Sequence, residues 1–339
     1  MWQVELVHQH QRVAPGSAVR IMTGALVPVD TDAVVRFEET DEVATSLDGH
    51  GRRHGSIGVL HQTAFGENIR PAGEDVCAGT LALASGTRLR PAEVGLLAAI
   101  GLESAVVHRR PRVAILATGD EVVDAGCDLR PGQFWNSNSP LLAAMVRRFG
   151  GEPILLGVAQ DSTDSLRVKL SEGRGADLLI TTGGVSVGDY DLVKDVLRSE
   201  GRGEIWQVRI KPGKPLAFGW IADTPIVGLP GNPVAPAVAC EQFCRPVILK
   251  MLGRRNLSPP TILARVQKRV ENFGGRRHFV RVRIDASSEG YVAYPASAQG
   301  ASMLSSLAFT NGLLIVPEEM VVVELGTSLP VQMLDWDID

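Results

Sequence analysis

The sequence predicts a multidomain protein whose centre is an α/β domain on a mostly parallel sheet, flanked by a β-rich N-terminal region and an all-β C-terminal domain. Three observations lead there. The chain has 339 residues, more than the roughly 100–200 that one domain occupies. From Arg112 to about Arg254, apolar β-type runs alternate with helical segments, as in a sheet covered by helices. On either side of that stretch, short β-type runs separated by Gly, Asp and Pro dominate. The expected domains are therefore residues 1–110, 111–254 and 255–339.

In chain order, the runs Ala33 to Phe37 and Ser56 to Leu60 predict short strands in a β-rich region extending from Val4 to about Arg70. The segment Pro91 to Gly101 begins with Pro and ends with Gly, the usual asymmetry of helix termini, and predicts a short helix. Arg109-Arg110-Pro111 marks a boundary. Central strands are expected at Val113 to Ala117, Ile154 to Val158, Leu178 to Thr181, Trp206 to Ile210 and Ile226 to Leu229. Helices are expected at Pro140 to Phe149, Ser162 to Glu172, Leu192 to Glu200 and Val234 to Leu252. The last carries Pro246, which predicts a kink or break. After Pro259 and Pro260, strands are expected at Thr261 to Arg269, Phe279 to Ile284 and Gly312 to Val316.

Composition narrows the function classes. With 45% hydrophobic and 21% charged residues the chain can bury ordinary cores. A formal charge of −4 provides no global basic field for nucleic acid, so any anion site must be local. Arg52-Arg53 and Arg276-Arg277 lack interleaved aromatics and read as solvated turn residues. Four cysteines are too sparse for a disulfide scaffold, and a reducing cytoplasm is the expected compartment. Cys240 and Cys244 lack nearby His partners for zinc and read as buried thiols. No apolar run reaches the ~18 residues of a membrane span, and no signal-peptide core is present, so no membrane partner is expected. His8, His10, His50, His54 and His61 are unevenly spaced and are expected at the surface. Trp206 is expected in the core.

The chemistry concentrates where strands end, the place at which an open α/β sheet binds ligands. One expected strand runs into Thr118-Gly119-Asp120-Glu121, another into Thr182-Gly183-Gly184-Val185-Ser186-Val187-Gly188-Asp189-Tyr190-Asp191. Gly183, Gly184 and Gly188 permit backbone angles that let successive N–H groups converge on a phosphate. The helix opening near Asp191 adds its dipole, typically ~0.3–1 kcal/mol at exposed sites. Asp189 and Asp191 would repel that phosphate unless a hard cation such as magnesium bridged them. The loop by itself also fits a Gly-rich turn with Asp191 as a helix cap. Two further strand-end turns favour the binding site. Lys211-Pro212-Gly213-Lys214-Pro215 places two lysines on a proline-stiffened turn, and Leu229-Pro230-Gly231-Asn232-Pro233-Val234 leads into a helix, with Asn232 able to cap it or bind a ligand.

In this order, TGDE, TTGGVSVGDYD, KPGKP and GLPGNPV resemble the molybdopterin molybdenumtransferase family, MoeA in bacteria and the E domain of gephyrin in animals. The similarity continues through RIMTGALVP (Arg20 to Pro28), RPAGEDV (Arg70 to Val76), NSNSPLLAAMV (Asn136 to Val146) and PASAQGASMLSSLAFTNGLLIVPEE (Pro295 to Glu319), and so covers nearly the whole chain.

The resemblance implies an elongated N-terminal region with helical and β parts, a MogA-like molybdopterin-binding α/β domain, a C-terminal β-barrel and a homodimer. It implies insertion of molybdate into adenylylated molybdopterin with release of AMP, aided by Mg2+, and contact with the upstream molybdopterin adenylyltransferase. Carried over by motif, Asp191 is a metal-linked acid with Asp189 beside it. Lys211 and Lys214 lie near the pterin phosphate and molybdate, and Asp120 and Glu121 in the adjoining loop. Thr23 and Asp75 reach the site across the dimer. Thr118, Gly119, Gly183, Gly184, Ser186, Gly188, Pro230, Gly231 and Asn232 line the substrate. Family members also carry a longer N-terminal segment with a Met-Asp-Gly-Tyr-Ala motif, which this sequence lacks. That departure keeps a catalytically weak molybdopterin-binding protein in view, and the α/β domain alone resembles the adenylyltransferase.

Overall fold

In the computed structural model the described residues are 3–5, 12–41, 56–184 and 192–334. The chain forms two compact units, Met1–Ala84 and Ser85–Asp339. In the first, strands β1 (Gln3–Glu5) and β2 (Ser17–Val19) pair in parallel, a 3-10 turn covers Phe37–Glu39, and Thr40 forms a β-bridge with Val59. The two expected strands take other forms. Ala33 to Phe37 is clamped by a turn: Val34 N–H donates to the Glu67 carbonyl at 2.9 Å, and Asn68 Nδ2 to the Val34 carbonyl at 2.7 Å. From Ser56 to Leu60 there are bridges at Ile57 and Val59, the latter opposite Thr40, rather than a strand, because these half-exposed residues offer no apolar face to a ladder.

The second unit opens with helix α1 (Pro91–Ala99), with Pro in its first turn and the Glu93 carboxylate accepting the Arg90 N–H at 2.9 Å. The following elements are β3 (Arg112–Thr118), β4 (Val122–Val123), β5 (Phe134–Trp135), α2 (Asn138–Phe149), β6 (Glu152–Ala159), α3 (Thr163–Glu172), β7 (Leu178–Thr182), α4 (Leu192–Glu200), β8 (Gly201–Gln207), β9 (Ile210–Lys211), β10 (Pro215–Ile221), β11 (Thr224–Leu229) and α5 (Val234–Ala239). A six-stranded sheet is ordered β6-β3-β7-β11-β10-β8. Its first four strands are parallel, and β10 runs antiparallel to both neighbours. Apolar side chains of β3 and β7 fill both faces, Val113, Ile115, Leu178 and Ile180 towards one cluster and Ala114, Leu116 and Leu179 towards the other. Each fully buried Leu or Ile contributes about 1.5–3 kcal/mol.

This order places β3 between β6 and β7, so the chain leaves β3 in one direction and returns on its other side. The crevice beyond the carboxyl ends of β3 and β7 is therefore the topological switch point of the sheet. Because β10 is antiparallel, with Ala217 opposite Gly228, its first residue lies at this same edge. The turn from Lys211 to Lys214 is thereby brought to the switch-point side.

Two expectations in this domain are corrected. The run Trp206 to Ile210 is not one strand: Val208 N–H closes onto the Lys214 carbonyl at 2.8 Å, ending β8 and freeing β9 to pair elsewhere. Trp206 is 56% exposed on the edge strand β8, its indole N–H donating to Glu204 Oε2 at 2.8 Å, so it is not a core residue. The expected break in the long helix is present. After α5 a π turn spans Cys240–Cys244, and α6 (Arg245–Met251) begins with Pro246 in its first turn. The widened turn accommodates a ring with no N–H to donate. Cys240 and Cys244 are buried, as expected.

The C-terminal elements are β12 (Thr261–Val266), β13 (Val270–Glu271), β14 (Arg277–Ser287), β15 (Gly290–Pro295), α7 (Ser305–Ala308), β16 (Gly312–Val316), β17 (Val322–Val323) and β18 (Ser328–Met333). Pairing runs β15-β12-β18-β16-β14 and closes from β14 back to β15, a five-strand barrel. Val266, Val280, Val282, Ala293, Leu314 and Val331 fill it. The short strand β9 adds to the outside of β14 in parallel, with Ile210 opposite Arg277 and Lys211 opposite His278. Val234 and Val238 of α5 pack with Phe279 and Leu313, fastening the α/β domain to the barrel.

Candidate functional site

Beyond the ends of β3, β7 and β11, three turns meet through glycine. Gly183 has φ +91°, and a Cβ there would stand 2.7 Å from Thr118 Oγ1 and 2.9 Å from the Thr118 carbonyl oxygen. Gly184, at φ +64°, would bring a Cβ within 3.2 Å of the same hydroxyl. A Cβ on Gly231 would lie 3.6 Å from Gly183 Cα. At Gly183 and Gly184 only glycine permits this approach at these angles, whereas at Gly231 a Cβ would make an ordinary contact. The Gly183 N–H donates to the Leu229 carbonyl at 3.1 Å, and the Thr182 hydroxyl to the Pro230 carbonyl at 3.2 Å.

Asn138, the first residue of α2, ties these turns together. Its Nδ2 donates to Thr182 Oγ1 at 2.8 Å and to the Gly231 carbonyl at 2.7 Å. A carbonyl can only accept, so the amide orientation is fixed by Gly231. Asn138 Oδ1 is left buried without a hydrogen-bond partner among the described residues. On the other side of β3, Asp120 and Asp161 lock each other: Asp161 N–H donates to Asp120 Oδ1 at 2.9 Å, and Asp120 N–H to Asp161 Oδ2 at 3.3 Å. The Glu121 carboxylate folds back over Gly119, where a Cβ would meet it at 2.6 Å.

The adjoining turn carries a different kind of site. Lys211 is half-buried beside β14, close to Arg276, His278 and Arg281. Arg281 is fully buried; its Nε donates to Ser306 Oγ at 3.1 Å and one Nη to the Gly300 carbonyl at 3.1 Å, while its other Nη is buried without a partner among the described residues. Among the described residues no carboxylate forms an ion pair with Lys211, Arg276 or Arg281. Burial, followed by the two arginines, lowers the Lys211 pKa, and burial lowers that of Arg281 to about 10. Uncompensated buried cations are costly, and an anion bound here would relieve that cost. Gly213 (φ +104°) turns this segment tightly against α5, a Cβ there lying 3.4 Å from the Ala235 carbonyl oxygen.

Three family models tile the chain: "MoeA N-terminal region (domain I and II)" over residues 4–101, "Probable molybdopterin binding domain" over 114–250 and "MoeA C-terminal region (domain IV)" over 264–334. Molybdopterin molybdenumtransferase 2 of Mycobacterium tuberculosis is 39% identical over 333 residues, covering 96% of this chain and 78% of that protein. The chain belongs to the molybdopterin molybdenumtransferase family. The molybdopterin molybdenumtransferase of Haemophilus influenzae is 34% identical, with 93% of this chain and 77% of that protein covered. A crystal structure of the molybdopterin biosynthesis MoeA protein from Pyrococcus horikoshii superposes with a TM-score of 0.78 at 29% identity, covering 98% of this chain and 80% of that one. The MoeA-like fold is thus shared along the whole length.

Within this MoeA-family chain, Thr118, Gly119, Gly183, Gly184, Pro230 and Gly231 come together at the switch point. Asp120 and Glu121 sit beside them as exposed carboxylates. Lys211 turns to the barrel and Lys214 is exposed. Asn232 is exposed and does not cap α5, whose cap residue Pro233 makes no side-chain bond. Thr23 and Asp75 are exposed on turns of the first unit. Ser186, Gly188, Asp189 and Asp191 lie outside the described residues, so the expected magnesium ligands do too. Asp120, Glu121 and Asp161 are hard oxygen donors of the kind magnesium takes. Arg277 is exposed, as expected, and paired with Glu318 at 3.5 Å, but it opens strand β14 rather than standing in a turn, and Arg276 is half-buried in the cation cluster.

Asn138, Arg281 and His278 were not among the expected site residues. Asn138 stands in a matching motif, NSNSP, but just ahead of the helix expected from Pro140 nothing local marks it as a tie to distant turns. Arg281 and His278 look like an ordinary alternating strand. Of the histidines expected at the surface, His61 is exposed, 3.7 Å from Glu39, and with Glu67 forms a trio whose ligand atoms lie within 4.8 Å of one another; His8, His10, His50 and His54 lie outside the described residues. No helix among the described residues is long and apolar enough to cross a membrane.

Proposed function

We propose that this chain is a molybdopterin molybdenumtransferase, inserting molybdate into adenylylated molybdopterin with release of AMP. The observation that carries this reading is the cluster of Arg276 and Arg281 around Lys211, without carboxylate partners among the described residues, where the Lys211 segment leads into the sheet edge that also bears the Thr118–Gly183–Gly231 cradle. A backbone cradle suits a phosphate, and a guanidinium with a free Nη beside a lysine suits a tetrahedral oxyanion. Cleavage of the adenylyl phosphoanhydride places negative charge on both departing groups. Fixed cations and backbone N–H groups lower that barrier without reorganising at the moment of reaction.

In this reading Asn138 Oδ1 accepts a hydrogen bond from a ligand N–H or O–H, since an acceptor oxygen does not favour phosphate. Magnesium, held by Asp189 and Asp191, would neutralise phosphate charge. Thr23 and Asp75 serve the site from a second copy in a homodimer, and the product of a cytoplasmic adenylyltransferase is the substrate. Incubating the folded protein with adenylylated molybdopterin, molybdate and magnesium should release AMP in step with loss of the adenylylated substrate. Absence of AMP release would sink the proposal; ATP-dependent adenylylation of molybdopterin would point to the adenylyltransferase instead.

A further inference from the structure

We infer that His278 is a positioning residue of the oxyanion pocket, and that it takes up one proton when a tetrahedral dianion binds beside Lys211 and Arg281. This rests on the reading of that cluster as the molybdate-binding pocket.

His278 is 2% exposed, and both ring nitrogens are buried without a hydrogen-bond partner among the described residues. A neutral ring left this way forfeits both its donor and its acceptor interactions. The register of β9 against β14 sets His278 directly opposite Lys211. The charged groups facing it are Lys211 from β9, Arg276 from the turn before β14 and Arg281 from β14 itself, all cationic. Burial first, then Lys211, Arg281 and Arg276, lower its pKa to about 3, so without an anion the ring is neutral. The position suits neither protonation state, unless something anionic arrives.

A dianion changes the sign of the local field. It neutralises two of three neighbouring positive charges and offers acceptor oxygens to an imidazolium N–H, a charge-assisted bond that the neutral ring cannot equal. The proton comes from solvent and adds to a ring nitrogen; no other bond forms or breaks. Anion and proton then favour each other's binding by the same factor. A His278 that only fills space would leave the proton count of binding unchanged.

Calorimetric titration of sodium molybdate into the full chain, in buffers of low and high ionisation enthalpy between about pH 6.5 and 8, tests this. Wild type should take up as much as one proton per molybdate, and its affinity should rise by up to about tenfold per unit fall in pH. His278→Gln should bind with buffer-independent heat and a flat pH profile. That result also separates His278 from Lys211, whose own pKa is lowered. Binding by wild type without proton uptake, or uptake retained in the Gln variant, overturns the inference and leaves the pocket standing. Failure of wild type to bind molybdate removes the pocket itself. Should His278→Gln not fold, the imidazole resonance of wild type decides: it should move to its protonated position on adding molybdate, and a resonance that stays put refutes the proposal.

Discussion

The two halves of this site are built from different materials. At the switch point, Gly183, Gly184 and Gly231 make a surface of backbone, held by Thr118, Thr182 and Asn138. At the barrel side, Lys211, Arg276 and Arg281 gather positive charge around a buried His278, held by strand pairing. At Gly183 and Gly184 the cradle tolerates almost no added atom. The cation pocket is instead limited by uncompensated charge. Shape should therefore control the first and electrostatics the second, and substitutions can set the two against each other.

The largest effect is expected from Arg281→Ala, which removes the buried guanidinium. Transition-state charge stabilisation of this kind is commonly worth about 100-fold or more in kcat, so molybdate-dependent AMP release should fall by that order. Arg281→Lys should recover only part of it, because the ammonium lacks the planar fork. If Lys restores full activity, the pocket needs charge alone.

Next is Gly183→Ala, where a methyl group would press on Thr118 Oγ1 at 2.7 Å in a left-handed conformation. A loss of about 1–3 kcal/mol is expected from strain and steric conflict, read as a lower urea midpoint with unchanged m. Wild-type stability in that variant would mean the turns separate easily.

The pH dependence of stability distinguishes the charged half. The folded pKa of His278 is near 3, below its ordinary 6.5, so between those values the unfolded chain binds a proton that the native one does not. Its contribution is therefore complete above about pH 6.5 and is lost as pH falls towards 3. Melting temperatures from pH 7 down to about 4.5 should fall more steeply for wild type than for His278→Gln. Parallel curves would show that His278 titrates alike in the folded and unfolded chain, so that folding does not hold it neutral.

A smaller cost, about 1–2 kcal/mol, is expected for Asn138→Ala, which strips partners from Thr182 and the Gly231 carbonyl. Its KM for adenylylated molybdopterin should rise more than kcat falls. Trp206→Ser provides the floor: at 56% exposure on an edge strand it should shift stability by no more than about 0.5 kcal/mol.

Sequence pattern fares differently in the two halves for a physical reason. The central parallel strands are apolar on both faces and the turns after them carry glycine and proline, so local composition announces them. Strand β10 was missed because Pro215 and Gly219 interrupt its pattern. Gly219 is needed there because a Cβ would lie 2.7 Å from Gly203 Cα across the pair. In the barrel, β18 was missed because both its partners, β12 and β16, lie elsewhere in the chain, and β15, although it forms a hairpin with β14, is a short run that also needs the distant β12 beside it.

By itself, then, the sequence determined the α/β class, the strand-end turns and the glycines that let them meet, since each follows from the backbone freedom of residues close in the chain. It also determined the family, because four turns in a set order are specific as a group. Only the tertiary structure decided that β9 leaves its sheet for the barrel, that Arg281 and His278 come to Lys211, and that Asn138 is a tie between turns as well as a helix start. Those facts depend on register and on charges brought together by folding from positions 211, 276, 278 and 281.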